Sequence, residues 1–388
     1  MPVKVAVGQA FSVEGREAVS NAVYNARLTL GNANINFAVI IASLEYDFQA
    51  IFNAAQTQIG DVPMIGFSTS GELTLSGSHR RSVVVALLSD DQLVCASEWL
   101  PGFSDNSARV TREMISSLSL TSEQKGLLLL VADGLNGDYE EVVNNLPPGR
   151  YQLAGCLAGG DVRLGRTHQL GGNRSGAGGL AAAFLSGSNI KVGIGTAHGW
   201  KPVGAKFDIT KVHGPWVRSL DHRPAVEGYA DLFGRQAREW SFPPLNTLVR
   251  LYPLGIERDG QPLLVRTPLR VETDGSLRMS AELQENDVGH LLVGSREKCV
   301  EAAHLAARTA LENLDGAVPK LALVMADVSW QLLFQGYEGA DIAAVREELG
   351  EDVLIAGGYT FGQFTHMAGA ARPEFLNQHI EIVLMGEG

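Results

Sequence analysis

The chain has 388 residues, enough for two or three domains and a sizeable buried core. Its 31 lysines and arginines against 43 aspartates and glutamates leave a net charge of −12 with no long basic run, which argues against nucleic acid as a partner. Mean hydropathy is +0.04, yet the longest apolar stretches, such as 127–132, fall far short of the roughly 20 residues that cross a bilayer, so no membrane contact is expected.

Residues 1–11 show no apolar segment before a cleavage site, and the cytoplasm is the expected compartment. A helix is expected over 14–30, then the apolar run 37–43 (FAVIIAS), a second helical or mixed stretch, and a short apolar run, 62–65, that ends in GFSTSGE (66–72). A polar loop and a further apolar run, 82–88, follow. The same order recurs with helix 107–120, run 126–133 (GLLLLVAD), run 151–154, GCLAGGD (155–161) and run 180–185. It recurs again with helix 295–314, run 320–327 (KLALVMAD), run 353–356, GGYTFGQ (357–363) and run 380–385. In the last helix Val300, His304, Ala307, Leu311 and Leu314 form one stripe, which makes His304 a core-facing residue. Cys95, Cys156 and Cys299 are too few and too scattered for a disulfide framework or a thiolate zinc site and read as core thiols.

Between the second and third copies the pattern changes. Stretch 190–200 alternates with small residues, 207–213 reads as a strand, and Pro224 opens a helix ended by Gly234. Two Asp-Gly turns, at Asp259 and Asp274, join runs 248–256, 263–271 and 277–279 into a β-meander. Pro243 and Pro244 interrupt the pattern within 235–246. Residues 1–234 are therefore expected to form an N-terminal domain of two repeat units plus a β segment, and 235–388 a C-terminal domain of meander plus third unit. The fold class is α/β, with threefold-repeated helix-strand-helix-strand-loop-strand units in layered, largely parallel or mixed sheets. Runs that are apolar throughout imply sheets covered on both faces, and the three glycine loops are expected on one side of them.

All three motifs fit GxxxxG closed by Glu72, Asp161 or Gln363. A phosphate-binding loop would need lysine there, and GxSxG fails because Gly71 comes one residue too late. What remains is a set of backbone N–H groups around Gly71 and Gly160, hydroxyls from Ser68, Thr69, Tyr359 and Thr360, and acceptors Glu72, Asp161 and Gln363. Asp133 and Asp327 stand at the carboxyl ends of their strands, where ligands settle in α/β sheets. Such a set suits a small zwitterion. Turn capping is the alternative role for these carboxylates, and Glu72, as a surface turn acceptor, is expected to contribute little to stability. An enzyme acting on a small metabolite, with Glu72, Asp133 and Asp327 as general bases, is the alternative function.

GFSTSGEL, GTAHGWKPVG (195–204), RPAVEGYADLFG (223–234), DGSLRMS (274–280) and GGYTFGQF occur in an order that resembles the FIST family, the F-box and intracellular signal transduction domain, over nearly the whole chain. The resemblance implies a non-enzymatic sensory role, a paired N- and C-terminal module, and a small-molecule ligand proposed to be an amino acid. It also implies signalling partners such as histidine kinases, cyclic-dinucleotide enzymes or chemoreceptors. This chain shows no such output module, so its signal is expected to pass to a separate protein. Gln363 departs from the family's usual glutamate. Stand-alone members are described as haem-binding nitric-oxide sensors, and this chain is similar to them in size and layout. On that reading His366, His168 and His79 are the candidate axial ligands, His366 first because Phe364 and Met367 flank it. His198, in AHGW, belongs to the general family signature.

Overall fold

An apolar run without polar interruption must be covered on both faces, and each of the three longest runs becomes the central strand of its own sheet. The computed structural model describes residues 3–160, 165–234, 236–366 and 372–388. Asp161 and Met367 lie outside the described residues. The first repeat comprises β1 (Lys4–Phe11), α1 (Gly15–Leu30), β2 (Phe37–Ser43), α2 (Phe48–Ile59), β3 (Met64–Thr69), the hairpin β4 (Glu72–Thr74) and β5 (Gly77–His79), and β6 (Ser82–Ser89). The second comprises β7 (Val94–Leu100), α3 (Ser107–Ser117), β8 (Leu127–Ala132), α4 (Tyr139–Asn145), β9 (Gln152–Leu157), the hairpin β10 (His168–Gly171) and β11 (Arg174–Ala177), and β12 (Leu180–Ser186).

The third repeat opens with β13 (Ile190–Ala197) and is then interrupted. The interruption holds β14 (Trp200–His213), β15 (Trp216–Leu220), β16 (Arg223–Pro224), α5 (Ala225–Phe233), α6 (Ala237–Trp240), α7 (Leu245–Leu248), β17 (Leu254–Arg258), β18 (Gln261–Arg266), β19 (Pro268–Val271), β20 (Leu277–Met279) and β21 (Val288–Gly294). The repeat resumes with α8 (Arg296–Asn313), β22 (Val318–Asp327), α9 (Val328–Leu333), α10 (Ala340–Leu349), β23 (Leu354–Thr360), β24 (Gln363–Thr365), β25 (Glu374–Leu376) and β26 (Ile380–Glu387). Two compact units result, one of residues 1–198, 300–375 and 379–388, the other of 199–299 and 376–378. The separation therefore does not fall at 234/235. The strand at 200–213 and the helix after Pro224 go with the meander, while β13 goes with the repeats.

In the first unit the three sheets follow one rule. Their orders are β1-β6-β2-β3-β10-β11, β7-β12-β8-β9-β24-β25 and β13-β26-β22-β23-β4-β5. In each, the central strand is parallel to the motif strand and antiparallel to the return strand. In each, the hairpin at the far edge comes from another repeat. The inward faces meet in one core, with Val39, Ile41, Leu129, Val131, Leu323 and Met325 at its centre. The alternate residues of β2, Ala38, Ile40 and Ala42, pack under α1 and α2, which is why the run is apolar on both parities.

The opening strands β1, β7 and β13 lie at sheet edges; β1 and β7 escape the sequence reading because half-exposed alternation gives a weaker signal than a continuous run, while β13 is the alternating stretch at 190–200. Each presses on a helix or a neighbouring sheet, and two do so through glycine. A β-carbon at Gly8 would stand 2.0 Å from the Ala22 carbonyl oxygen, and one at Gly195 2.0 Å from that of Ala306. The buried seam of α8 is accordingly Cys299, Ala302, Ala303, Ala306, Ala307 and Ala310, continued by Leu314; of the expected stripe Ala307 and Leu314 are buried, while Val300, His304 and Leu311 are only half-buried. His304 sits at the rim with Nδ1 3.1 Å from Glu348.

The second unit is an antiparallel sheet in the order β18-β17-β21-β14-β15-β20-β19, with β16 paired to β15. Asp259-Gly260 and Asp274-Gly275 turn the β17–β18 and β19–β20 hairpins, as expected. Ile209, Val217, Val271 and Leu277 line its core with Tyr229 and Trp240. None of the described helices is long and apolar enough to cross a membrane.

The close helix approach is testable. Gly8→Ala should cost about 3 kcal/mol, because backbone must move to admit the methyl group. Gly316→Ala, at φ +76 with nothing within 4 Å, should cost only about 1–2 kcal/mol of left-handed strain. Thermal unfolding midpoints of the two variants check the ranking.

Candidate functional site

The motif strands β3, β9 and β23 run past the first glycine of their motifs before turning. Gly66, Gly155 and Gly357 are strand residues, and a β-carbon there would stand 2.4, 2.1 and 2.1 Å from the carbonyl oxygens of Ile40, Leu130 and Val324. Glycine is needed for this close approach between neighbouring strands, not for a turn, which corrects the loop reading of the motif's first half.

Beyond these strands the three turns interlock. Ser68 Oγ donates to Gly159 O at 2.8 Å, and Gly159 N donates to Ser68 O at 2.7 Å. Ser70 N donates to Tyr359 O at 3.2 Å and Tyr359 N to Gly71 O at 2.9 Å. Leu157 N donates to Gly362 O at 2.9 Å and Phe361 N to Leu157 O at 3.1 Å. Each turn thus bonds both others. At Gly159 a β-carbon would lie 2.2 Å from Tyr359 O, at Gly160 2.3 Å from Leu44, and at Gly358 2.3 Å from Thr69.

A polar side chain follows each turn and bonds a threonine hydroxyl. In the first repeat Thr69 Oγ1 donates to Glu72 Oε1 at 2.6 Å, and Glu72 Oε2 accepts from Ser82 N at 2.9 Å and Ser82 Oγ at 2.8 Å. Strand register places Glu72 opposite Gly358, Gln363 opposite Cys156, and Gln169 opposite Phe67. The second repeat's counterpart of Glu72 is therefore Gln169, not Asp161, because additional residues separate its turn from its hairpin. Gln169 Nε2 donates to Thr167 Oγ1 at 3.1 Å, and its Oε1 accepts from Gly179 N at 3.1 Å, the position of Ser82. Gln363 Nε2 donates to Thr360 Oγ1 at 3.3 Å, while its buried Oε1 has no partner among the described residues.

Glu72 is 0% exposed, so it is not the surface turn acceptor expected. Burial pushes its carboxyl up to about 7, against the pull of the Thr69 and Ser82 hydrogen bonds. Its network continues outward, since Gln9 Nε2 donates to Ser82 Oγ at 3.0 Å and Thr74 Oγ1 to Gln9 Oε1 at 3.3 Å. Thr74 and Ser76 hydroxyls lie 2.8 Å apart, and Ser76 Oγ is 2.9 Å from His79 Nε2.

Asp133 and Asp327 organise backbone. Asp133 Oδ1 accepts from Leu135 N and Asn136 N at 2.9 and 2.8 Å, and its Oδ2 from Gly178 N and Thr167 Oγ1 at 3.1 and 3.2 Å. Asp327 caps α9 through Ser329 N and Oγ at 2.9 and 2.7 Å. Capping, the alternative role, describes both. Tyr359 donates its hydroxyl to buried Asp341 at 2.8 Å.

The three candidate histidines occupy different surroundings. His168 stacks on Phe48 with ring centroids 5.0 Å apart and donates its backbone N–H to Ser68 Oγ at 2.9 Å. Burial and the Arg166 charge hold its imidazole below the usual range, so the ring is neutral at pH 7. Burial lowers His79 as well, and His366 is exposed. The small apolar cavity between the sheets is lined by Val39, Ile41, Phe67, Leu129, Leu323 and Met325 among others, with none of these histidines. Among the described residues no group of three or more His, Cys, Asp or Glu side chains could hold a metal ion.

Sequence reasoning passed over Glu381 because it sits inside an apolar run. Aligned strand register puts it where the other repeats have Val84 and Ala181. It is fully buried, and burial pushes its carboxyl up to about 8, opposed by Thr365 and by Gly155 N–H, which donates to Oε2 at 3.1 Å. Nearby Cys156 is raised well above the ordinary thiol value by burial and by Glu381.

A carboxyl with a raised folded value holds its proton more tightly in the folded state. The resulting stability is complete below the unfolded value and is lost as pH rises through the folded one. The windows run from 4.5 to about 7 for Glu72 and from 4.5 to about 8 for Glu381. Stability should therefore fall as pH rises across neutrality, by up to about 1.4 kcal/mol per pH unit for each group. Glu381→Gln, which keeps the Gly155 acceptor, should remove the slope above about pH 7 in urea titrations. A pH-independent midpoint in the parent protein would contradict both assignments.

The chain matches the FIST N domain over residues 36–223 and the FIST C domain over 225–366. No curated protein matches it in sequence. Among solved structures, a cyanuric acid hydrolase from A. caulinodans is similar at 7% identity and a TM-score of 0.38, covering 99% of both chains. A second cyanuric acid hydrolase aligns at 8% identity over 100% of both chains, also with a TM-score of 0.38. Phosphoribosylformylglycinamidine synthase II from Thermotoga maritima aligns at 9% identity and a TM-score of 0.24, covering 99% of this chain and 72% of its own. Likeness at that level carries nothing about chemistry.

Proposed function

The chain belongs to the FIST family of sensory and signalling domains, and from that premise we propose that it binds a small ligand where its three motif turns converge. It then signals to a separate regulator such as a histidine kinase or a cyclic-dinucleotide enzyme. The observation that carries this reading is the direct bonding of each turn to both others around Ser68, Gly71 and Tyr359. Hydroxyls and N–H groups that would receive a carboxylate are spent on contacts between repeats. A ligand that claims them must replace those contacts, so occupancy and the fit of the repeats are coupled, as a sensor requires.

Two ligand classes follow, an amino-acid-like metabolite held by Ser68 and Glu72, or haem for nitric-oxide sensing. For haem, His168 is the residue of this chain whose neutral, half-buried ring against Phe48 fits an axial ligand better than exposed His366. The enzyme reading would rest on Glu72 as general base, a fully buried carboxyl that burial pushes up to about 7.

Absorption spectra after expression with haem supplied, together with a thermal-shift screen of amino acids, test these alternatives. A visible band lost in His168→Ala supports haem. A colourless protein whose midpoint is raised by one amino acid, with the shift cut about tenfold in apparent affinity by Ser68→Ala, supports the zwitterion site. Absence of any stabilising ligand, with turnover of a metabolite, would replace the sensory reading by the enzymatic one.

A further inference from the structure

The second unit departs from the charge of the rest of the chain. Residues 199–299 and 376–378 hold 14 of the 31 basic side chains and 13 of the 43 acidic ones, so this unit is close to neutral and the remainder carries about −13. Within the unit, basic side chains gather on one sheet face. Register sets Arg270 opposite Arg278, Arg278 opposite Trp216, and Trp216 opposite His213, in a row across β19, β20, β15 and β14. Their sequence neighbours Val271, Leu277 and Val217 point into the core, so the row faces outward by strand alternation.

Of the three guanidinium groups here, only that of Arg270 is paired with a carboxylate, Glu272. Glu72 of the first unit has its own network, whereas here Glu272 Oε1 alone accepts from Arg270 Nε at 2.9 Å and from Trp216 Nε1 at 3.2 Å. The Arg278 guanidinium lies 5.9 Å over the Trp216 ring. Arg250 donates from Nε to Leu269 O at 2.7 Å, which brings it beside Arg270, and burial together with that neighbouring charge lowers its affinity for its proton. Among the described residues neither Arg250 nor Arg278 has a carboxylate partner. Like charges directly opposite on neighbouring strands are unfavourable, and an incoming carboxylate would relieve this contact while taking paired N–H donors.

We propose that this face, built on Trp216, Arg250, Arg270 and Arg278, is the docking surface for a short acidic segment of the separate regulator. It rests on the reading that the signal leaves through another protein, and adds the chemistry by which that protein is recognised. A long polyanion is disfavoured because the rest of the chain repels it. A segment of a few aspartates or glutamates engages the patch alone.

The test uses the full chain and a dye-labelled peptide of six consecutive glutamates, followed by fluorescence anisotropy at low salt. Saturable binding is expected, weakened about tenfold by Arg278→Gln and by Arg250→Gln and unchanged by Lys206→Gln, an exposed charge elsewhere on β14. Arg278→Gln should melt no lower than the parent, since a like-charge contact is removed, which separates lost docking from lost folding. No saturable binding, unaltered binding by Arg278→Gln, or tighter binding of a single-stranded DNA of equal charge would each overturn the proposal. The amino-acid and haem responses measured on Arg278→Gln keep the two readings apart, because their survival with peptide binding lost leaves ligand sensing untouched.

Discussion

A sheet edge is a row of unpaired N–H and C=O groups, and a strand that ends a sheet must be paired, covered or charged. In the first unit one edge of every sheet is extended by a borrowed hairpin, β10–β11 on the first, β24–β25 on the second and β4–β5 on the third. The exchange closes in a cycle, so no repeat completes its sheet from its own residues. Two of the hairpins leave directly from their motif turns and the second repeat's leaves after additional residues, so lending them draws the turns together. The glycines at 159, 160 and 358 then follow from geometry, since side chains there would meet backbone or packed neighbours.

Common geometry does not mean common chemistry. The residue after the turn is Glu72 in one repeat, Gln169 in the next and Gln363 in the last, each against a threonine hydroxyl. Only the first can change charge, and hydrogen bonds link it through Ser82, Gln9, Thr74 and Ser76 to His79 at the edge. Glu381 breaks the symmetry again, in the shared core. Glu72 and Glu381 are thus titratable carboxyls that a threefold scaffold carries in one copy each.

How much of this was legible follows from the physical signals. The central strands were plain because burial on both faces makes them continuously apolar, and the Asp-Gly hairpins because left-handed turns demand those residues. The repeat itself was visible in spacing. The role of its glycines was not, since a glycine admitting a neighbouring carbonyl, as at Gly155, reads the same as one making a turn. Asp161 was matched to Glu72 by its place after the motif, while strand register, which sequence does not display, selects Gln169. The interlocking of Ser68 with Gly159 joins residues 91 positions apart and has no local signature. The expected division at 234/235 lies near the boundary between the FIST N and FIST C matches but inside the second compact unit, which begins at 199 and holds prolines 243 and 244 within its body.

The position of the second unit inside the third repeat has a consequence for synthesis. β13 leaves the ribosome roughly a hundred residues before the helix that covers it, and β23, the partner of β4, later still. Contacts at such separation are slow to form because a long loop must close first. The β4–β5 hairpin, made early, therefore waits with an open edge until the C-terminal strands emerge. Its short strands, its polar residues and the glycine at 77 limit what that edge can capture in the interval, so the segment that completes the last sheet is also the one that most needs to stay unattractive to other chains.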